Sequence, residues 1–272
     1  MNKDDEKYLV DTAHALANAA RVAILPHFRK AGLTAENKEI QGFDPVTVAD
    51  RASEAAMREI LADRLPDDGI IGEEFGTREG SSGRIWVLDP IDGTRGFISG
   101  TPTWGVLIAL SNAQGPIFGM IDQPYIGERF WGGFGTAQME GPQNRQQPIP
   151  IATLGARPLS DATLFTTFPE VGSDIERGGF EAVAAQVKLT RYGTDCYAYA
   201  LLAAGQIDLV IEAGLNNYDI AAPIGLIQAA GGIVTDWQGG PAHDGGRVIA
   251  AAGAAQHAAA LDILRTGRFT EG

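Results

Sequence analysis

The stretch Trp86-Val87-Leu88-Asp89-Pro90-Ile91-Asp92-Gly93-Thr94 places two carboxylates, a backbone carbonyl and a hydroxyl within one turn after an apolar strand. Pro90 stiffens the backbone between the two acids, and Gly93 permits a sharp turn. Oxygen ligands of this kind suit hard divalent cations such as Mg²⁺, which keep waters that a substrate can displace. The segment therefore predicts a cation site. The same spacing also fits an Asx turn followed by a helix N-cap, with both carboxylates solvated.

The composition is that of an acidic globular protein. Its 272 residues are 44% hydrophobic, enough for one large core or two modest ones. Lys and Arg number 21 against 34 Asp and Glu, so the net charge of −13 argues against nucleic acid or an anionic membrane as partner. Cys196 is the single cysteine and cannot form an internal disulfide. The charged N-terminal residues and the interrupted apolar run at residues 248–261 predict a cytoplasmic protein without a membrane span.

The first half of the chain predicts helices and a mostly antiparallel sheet. Apolar residues at spacings of three and four indicate helices over residues 8–28 and about 49–65. Short apolar runs predict strands at residues 70–72, 85–88, 105–110 and 117–121. The last two strands are expected to pair through the turn at residues 112–115.

The second half predicts alternating strands and helices. Gly, Gln and Pro accumulate between residues 132 and 150, which indicates a loop near a domain boundary. Beyond it, strands are predicted at residues 163–167 and 207–212, and helices near 175–188, 194–204, 218–230 and 254–265. We therefore expect an N-terminal α+β metal-binding domain over residues 1–145. A C-terminal α/β domain over residues 146–272 would complete the substrate pocket.

Further acids stand where the fold could bring them to Asp89. Glu73 follows a short apolar strand, as Asp89 does, so both would leave strand ends at one sheet edge. Asp50 and Asp219 each stand at a helix start, where a carboxylate is stabilised whether or not it takes part in chemistry. Backbone N–H groups of the turn at residues 191–195 could hold substrate oxygens. Taken singly, a solvated acid pair and helix caps explain these residues equally well.

Together these segments resemble the inositol monophosphatase family of metal-dependent phosphate-ester hydrolases over nearly the full length. The matching motifs, in the family's order, are Asp44-Pro45-x-Thr47-x-Ala49-Asp50, Gly72-Glu73-Glu74, Trp86-x-x-Asp89-Pro90-Ile91-Asp92-Gly93-Thr94, and Asp219-x-Ala221-Ala222 before Gly231-Gly232. The resemblance implies the family's sugar-phosphatase type of fold, a layered αβαβα sandwich that combines α+β and α/β parts. It also implies a homodimer acting on a small phosphorylated substrate.

The resemblance implies that carboxylates and one carbonyl hold two to three Mg²⁺ ions. Glu73, Asp89 and the carbonyl of Ile91 would bind the first ion. Asp89, Asp92 and Asp219 would bind the second, so Asp89 would bridge the two. A third, weaker ion near Glu73 is implied by many relatives.

The resemblance assigns the catalytic roles to Asp50 and Thr94. They would orient and deprotonate a water for in-line attack on phosphorus, without a covalent phosphoenzyme. The chain departs from the family at Tyr218, where many relatives have Trp. Some relatives also have a basic residue before the first motif; Lys38 is the nearest match here, and Glu39 competes for that place.

Substrate contacts are expected from both halves of the chain, at Asp92, Gly93, Thr94, Arg191, Gly193, Thr194, Asp195, Glu212 and Asp219. In inositol-directed relatives the position of Asp195 is usually small and apolar. A carboxylate there favours a substrate with a cationic group, because a neutral ligand leaves the charge poorly compensated. L-Histidinol phosphate carries an amine and an imidazole, and residues 92–105, 121–124 and 191–200 resemble the histidinol-phosphatase branch of the family.

The leading hypothesis is therefore a Mg²⁺-dependent histidinol-phosphate phosphatase of histidine biosynthesis. An inositol or sugar monophosphatase is the alternative within the same class. A non-catalytic protein that binds metal or phosphate on the same fold is the alternative from another class. At Asp195 itself, capping of the helix near residue 194 is a further explanation.

Overall fold

Helices and strands alternate along the residues that the computed structural model describes, which are 1–30, 36–37, 45–144 and 147–266. The helices are α1 (Lys3–Ile24), α2 (Val48–Arg64), α3 (Thr94–Ser99), α4 (Asp174–Ala184), α5 (Tyr197–Ala203), α6 (Asn217–Ala229) and α7 (Ala254–Thr266). The strands are β1 (Glu36–Asn37), β2 (Pro45–Val46), β3 (Gly69–Gly72), β4 (Gly76–Arg78), β5 (Ile85–Asp92), β6 (Gly105–Asn112), β7 (Gly115–Gln123), β8 (Glu128–Gly133), β9 (Thr136–Glu140), β10 (Ile149–Pro150), β11 (Thr163–Thr166), β12 (Leu189–Tyr192), β13 (Leu209–Leu215), β14 (Ile233–Asp236) and β15 (Gly246–Ala251).

Most of these strands belong to two sheets. The larger sheet has the order β10-β9-β8-β7-β6-β5-β3-β4 and is antiparallel except between β3 and β5. The smaller sheet has the order β12-β11-β13-β15-β14, with β11 parallel to both of its neighbours and β15 antiparallel to both of its own. The mostly antiparallel sheet of the first half is confirmed, as is the pairing of β6 with β7.

The sheets and helices stack in five layers. Helices α1 and α2 cover one face of the larger sheet, where Trp86 and Leu88 of β5 are fully buried. Val87, between them, points to the opposite face and into a core shared with α5 and α6. Helices α4 and α7 cover the outer face of the smaller sheet, with Phe180 in that core. This is the predicted layered αβαβα sandwich, with α+β and α/β parts.

Helix α6 joins the two halves of the chain. Its residues 220–227 are all buried, so the helix lies between layers instead of at the surface. Gly119 of β7 lets the helix approach closely, because a Cβ there would lie 1.9 Å from the carbonyl oxygen of Ala222. Gly225 faces the sheet in the same way, and its Cβ would lie 2.5 Å from the backbone nitrogen of Gly119.

Three expectations about the elements were wrong. The predicted loop between residues 132 and 150 contains β9 and ends in β10. Strand β5 does not end before Asp89 but runs to Asp92. Strands β4, β8, β14 and β15 were not predicted, and the apolar run at residues 248–261 is divided between β15 and α7. The division into two domains at residues 145/146 stays a prediction. The core between the two sheets contains residues of both halves of the chain. Among the described helices, each is too short or too polar to cross a membrane.

A methyl group at Gly119 is expected to push α6 away from the sheet. Gly119→Ala should lower the free energy of unfolding by about 1–3 kcal/mol, because the new Cβ meets backbone atoms that cannot rotate away. Gly69→Ala in β3 is the matched control, since its Cβ would lie 3.3 Å or more from its neighbours. Urea denaturation measures both losses, and an equal loss in the two variants would contradict this packing.

Candidate active site

Three carboxylates meet where β5 ends and α6 begins. Regular alternation along β5 would send Asp89 and Asp92 to opposite faces of the sheet. The register of β5 against β6 shifts between these two residues, and such a bulge re-aims side chains. Asp219 comes from the first turn of α6. One ligand oxygen from each acid lies within 4.8 Å of the other two.

Glu73 reaches the same place from the neighbouring strand. Strands β3 and β5 run parallel with Gly72 opposite Leu88, so the next residue, Glu73, emerges beside Asp89. The Glu73 backbone N–H donates to the Leu88 carbonyl at 3.2 Å. The carboxyl groups of Glu73 and Asp89 are also in hydrogen-bonding contact. The structure therefore places Glu73 as the sequence predicted, although β5 continues past Asp89.

Burial and mutual repulsion disfavour full ionisation of this cluster. Burial is the largest cause that raises the pKa of Asp89 well above its usual value, followed by Glu73, Asp92 and Asp219. Burial also raises the pKa of Asp92, with Asp219 the next cause. The pKa of Asp219 is raised to about 7, again mainly by burial. A bound cation would relieve this repulsion, and the oxygen donors are those that a hard divalent ion prefers. The cluster is therefore a candidate metal-binding site.

The turn after β5 brings a carbonyl and a hydroxyl beside these acids. Thr94 Oγ1 donates to the carbonyl oxygen of Ile91 at 3.0 Å. Gly93 precedes α3 with a φ of 82°, in the left-handed region that favours glycine. Asp89 Oδ1 accepts a hydrogen bond from the Ile91 N–H at 3.0 Å. The whole turn is thus held by its own polar groups.

Asp50 lies at the start of α2 and caps that helix. Its Oδ2 accepts hydrogen bonds from the Thr47 N–H at 2.8 Å and from Thr47 Oγ1 at 2.6 Å. Its Oδ1 is buried without a hydrogen-bond partner among the described residues. The pKa of Asp50 is raised to about 7, mainly by burial. The hydrogen bonds from Thr47 oppose this rise, and the charges of Glu73 and Glu74 add to it. The capping role is therefore confirmed, and one carboxylate oxygen is left unused by it.

A cleft of about 350 Å³ opens from the acid cluster toward the ends of β11 and β13. Its acidic lining residues in the described part of the chain are Glu73, Asp89, Asp92, Glu170, Asp195, Glu212 and Asp219. Arg95 is the one basic residue among those described lining residues. Gly93, Thr94 and Tyr218 also line the cleft, whereas Asp50 does not. The strongly acidic walls suit cations.

Asp195 stands on the cleft wall, where a hydrogen bond and the close approach of Gly93 fix its side chain. Its Oδ2 accepts a hydrogen bond from Thr103 Oγ1 at 2.8 Å. Its φ of 46° is unusual for a residue other than glycine, and a Cβ on Gly93 would lie 2.7 Å from Asp195 Cγ. Burial raises the pKa of its carboxyl group. The helix-cap explanation for Asp195 is wrong, because Cys196 is the N-cap of α5 and no side chain caps that helix.

Glu212 lies deeper in the cleft and is held by three donors. Its Oε1 accepts from the Thr167 N–H at 3.0 Å and from Thr167 Oγ1 at 2.6 Å, and its Oε2 accepts from the Tyr199 hydroxyl at 3.0 Å.

The Cys196 N–H donates to Asp92 Oδ2 at 2.7 Å, so the start of α5 is tied to the acid cluster. Burial, reinforced by Asp92, raises the pKa of the Cys196 thiol well above its usual value, so the thiol stays protonated and is a poor nucleophile.

Three predicted substrate contacts do not line the cleft in this structure. Arg191 is exposed on edge strand β12. The Gly193 N–H donates to the carbonyls of Thr166 and Thr167, and Thr194 Oγ1 is buried without a partner among the described residues. The turn at residues 191–195 joins a strand to a helix as expected. Its Gly193 N–H, however, is already hydrogen-bonded to carbonyls at the end of β11. Their contact with substrate stays a prediction.

Several residues of the site were not predicted from the sequence. Thr103 fixes Asp195 across 92 positions of chain, and Thr167 and Tyr199 fix Glu212, so no local pattern indicates them. Phe168 and Glu170 line the cleft because they follow β11. Their place just after a predicted strand was the available signal. Lys38, Glu39 and Asp44 lie outside the described residues.

The metal-free protein is expected to lose stability as pH rises toward 8. Asp219 has a pKa of about 7 in the folded protein against about 3.9 for an unperturbed carboxyl. Between these values the folded state binds more protons, so its stability is complete below pH 4 and falls as pH rises through 7. Asp219→Asn should reduce this loss by on the order of 1–3 kcal/mol.

Urea denaturation in EDTA at pH 5 and pH 8 measures the effect. The exposed residue Asp63 of α2 provides the control, since Asp63→Asn should keep the wild-type pH dependence. A wild-type slope in Asp219→Asn would show that the buried acids do not set the pH dependence.

The sequence matches the family model described as "Inositol monophosphatase family" over residues 5–266. A chloroplastic bifunctional phosphatase, IMPL2, from Arabidopsis thaliana is 44% identical over 228 residues, which are 83% of this chain and 63% of that protein. A histidinol-phosphatase from Streptomyces coelicolor is 34% identical over 252 residues, covering 89% of this chain and 91% of the relative.

Solved structures agree with this assignment. An inositol monophosphatase from Zymomonas mobilis superposes with a TM-score of 0.83 at 38% identity, over 97% of this chain and 100% of the other. SuhB from Bartonella henselae gives a TM-score of 0.82 at 26% identity, over 96% and 99% of the two chains. The chain belongs to the inositol monophosphatase family of phosphoric monoester hydrolases.

Proposed function

We propose that the chain is a Mg²⁺-dependent histidinol-phosphate phosphatase, which hydrolyses L-histidinol phosphate to L-histidinol and phosphate in histidine biosynthesis. The observation that carries the proposal is the carboxylate of Asp195 in the cleft wall, held at one oxygen by Thr103. A neutral polyol would add no positive charge to this acidic wall, where Arg95 is the one basic residue among the described lining residues. An ammonium group would supply a counter-charge directly at Asp195. We further propose a cytoplasmic homodimer.

The acid cluster supports a metal-dependent reaction. Glu73, Asp89, Asp92, Asp219 and the carbonyl of Ile91 would hold two to three Mg²⁺ ions. Bound ions would supply the positive charge that neutralises the phosphate oxygens in the transition state. The cluster's raised pKa values fit this role, because carboxylates that repel one another bind a cation with relief of that repulsion.

Asp50 and Thr94 would prepare the attacking water. The Thr94 hydroxyl donates its proton to the Ile91 carbonyl, so its oxygen is left to accept a hydrogen bond from water. Asp50 would take the proton at Oδ1, the oxygen that capping does not use. A carboxylate with a pKa of about 7 is suited to general-base work at neutral pH.

The leaving group would be recognised by the residues of the second half. Asp195 would bind the amine of histidinol. Glu212, whose two oxygens already accept from Thr167 and Tyr199, has capacity for a further donor from the substrate. Histidinol-phosphatases from several bacteria are similar to this chain at 32–34% identity, which supports the same substrate here.

The second candidate is an inositol or sugar monophosphatase. It is favoured by the inositol monophosphatase of Zymomonas mobilis, 38% identical over nearly all of both chains. A non-catalytic binding protein is disfavoured, because every metal ligand that the family motif requires is present and Asp89, Asp92 and Asp219 are brought together.

Substrate selectivity separates the first two candidates. In the presence of Mg²⁺, phosphate release from L-histidinol phosphate should exceed release from myo-inositol 1-phosphate. EDTA should abolish the release. Asp195→Asn keeps the shape and removes the charge. It should lower kcat/KM for histidinol phosphate by about 10-fold or more relative to the change for inositol phosphate, since a charge-assisted hydrogen bond is lost.

The exposed residue Asp262 provides the control variant, Asp262→Asn. Equal losses on both substrates in Asp195→Asn would refute the role of the charge. A wild-type preference for inositol phosphate would keep the phosphatase assignment and discard histidinol phosphate as its substrate.

Metal binding by the cluster is tested by thermal unfolding. Millimolar Mg²⁺ should raise the wild-type Tm by several degrees, as a ligand that binds only the folded state does. Asp92→Asn keeps an acceptor for the Cys196 N–H, yet it should lose most of this rise and about 100-fold or more of kcat. Asp63→Asn should keep both. An undiminished Mg²⁺-dependent rise in Asp92→Asn would place the ion elsewhere.

A further inference from the structure

An exposed aromatic ring stands at the mouth of the cleft. Phe168 follows β11 in the smaller sheet, lines the cleft and is 44% exposed. Large apolar side chains at a surface usually pack against something, and this one meets a guanidinium. Arg95 comes from α3, next to the larger sheet, and its Cζ lies 5.0 Å from the centre of the Phe168 ring. The two side chains therefore meet across the mouth.

This cation–π contact shows that the face of the Phe168 ring can bind a planar cation. A flat cation over an aromatic face is attracted by the negative charge density of that face. Arg95 is itself exposed, so its long, flexible side chain has room to move off the ring. A substrate cation of the same flat shape can then take its place. The ring is thus a ready surface for a planar cationic or aromatic group.

The surrounding charges favour the same kind of group. Glu170, two residues after Phe168, also lines the cleft, and Asp195 and Glu212 stand on its walls. Burial raises the pKa of Asp195 and Arg95 lowers it, so one cation already acts on that carboxylate. The side chains that donate to Glu212, Thr167 and Tyr199, are uncharged. A planar ring that carries positive charge would gain from the aromatic face and from these carboxylates. A neutral polyol has no positive charge for these carboxylates and the aromatic face to attract.

We propose that the face of Phe168 is the subsite for the imidazole ring of the leaving group. This subsite rests on the proposed function and divides recognition into two parts: Asp195 binds the amine, and Phe168 stacks on the imidazole. Phe168 is then a specificity-determining residue that discriminates a ring-bearing leaving group from an aminoalkyl or polyol one.

The test uses three phosphate esters and two variants. L-Histidinol phosphate has amine and ring, O-phosphoethanolamine has the amine alone, and myo-inositol 1-phosphate has neither. Phe168→Leu keeps an apolar side chain and removes the aromatic face, and Phe168→Trp keeps a face. Phe168→Leu should lower kcat/KM for histidinol phosphate about 3- to 30-fold more than for either other ester, as expected for a lost cation–π contact. Phe168→Trp should retain the wild-type selectivity.

Three other outcomes would overturn the subsite, and one of them would also overturn the proposed function. Equal losses on all three esters would assign Phe168 a structural role and overturn the subsite, and thermal unfolding of both variants identifies a folding defect directly. Unchanged selectivity in Phe168→Leu would overturn the subsite and leave the proposed function standing. Wild-type enzyme that hydrolyses inositol phosphate and not histidinol phosphate would overturn the proposed function, and the subsite with it.

Discussion

The repulsion among four buried or half-buried carboxyl groups is the constraint on which the rest of the site depends. Glu73, Asp89, Asp92 and Asp219 come from two strand ends and one helix start, and burial with mutual repulsion raises the pKa of Asp89 and Asp92. Acids in this arrangement separate unless the backbone holds them. The backbone does so through the bulge in β5, the parallel pairing of β3 with β5, and the close seating of α6 on Gly119.

The layered fold builds the cleft from two walls that come from different sheets. The larger sheet supplies most of the acid cluster, and the smaller sheet with α5 supplies the opposite wall. The contacts that join these parts include the hydrogen bonds from the Cys196 N–H to Asp92 and from Thr103 to Asp195. A family built in this way can keep one reaction and change its substrate through the second wall, because function resides in sites carried by a fold.

Sequence reasoning predicted the grouping of the acids better than it predicted the strands. The order of acids in Asp89–Asp92 and the strand end before Glu73 predicted the cluster because both signals are local. Strands β14 and β15 were missed since β15 is rich in Gly and Ala and both depend on long-range pairing. The positive φ of Asp195 and its bond to Thr103 were equally out of reach, as they arise only when distant segments meet.

The central claim is that this cluster binds divalent cations. Anomalous diffraction from crystals grown with saturating Mn²⁺, a redox-stable stand-in for Mg²⁺ at oxygen ligands, tests it directly. The account predicts strong anomalous peaks among the carboxylates of Glu73, Asp89, Asp92 and Asp219. Crystals with no peak there, or with peaks only at other surface acids, would contradict it.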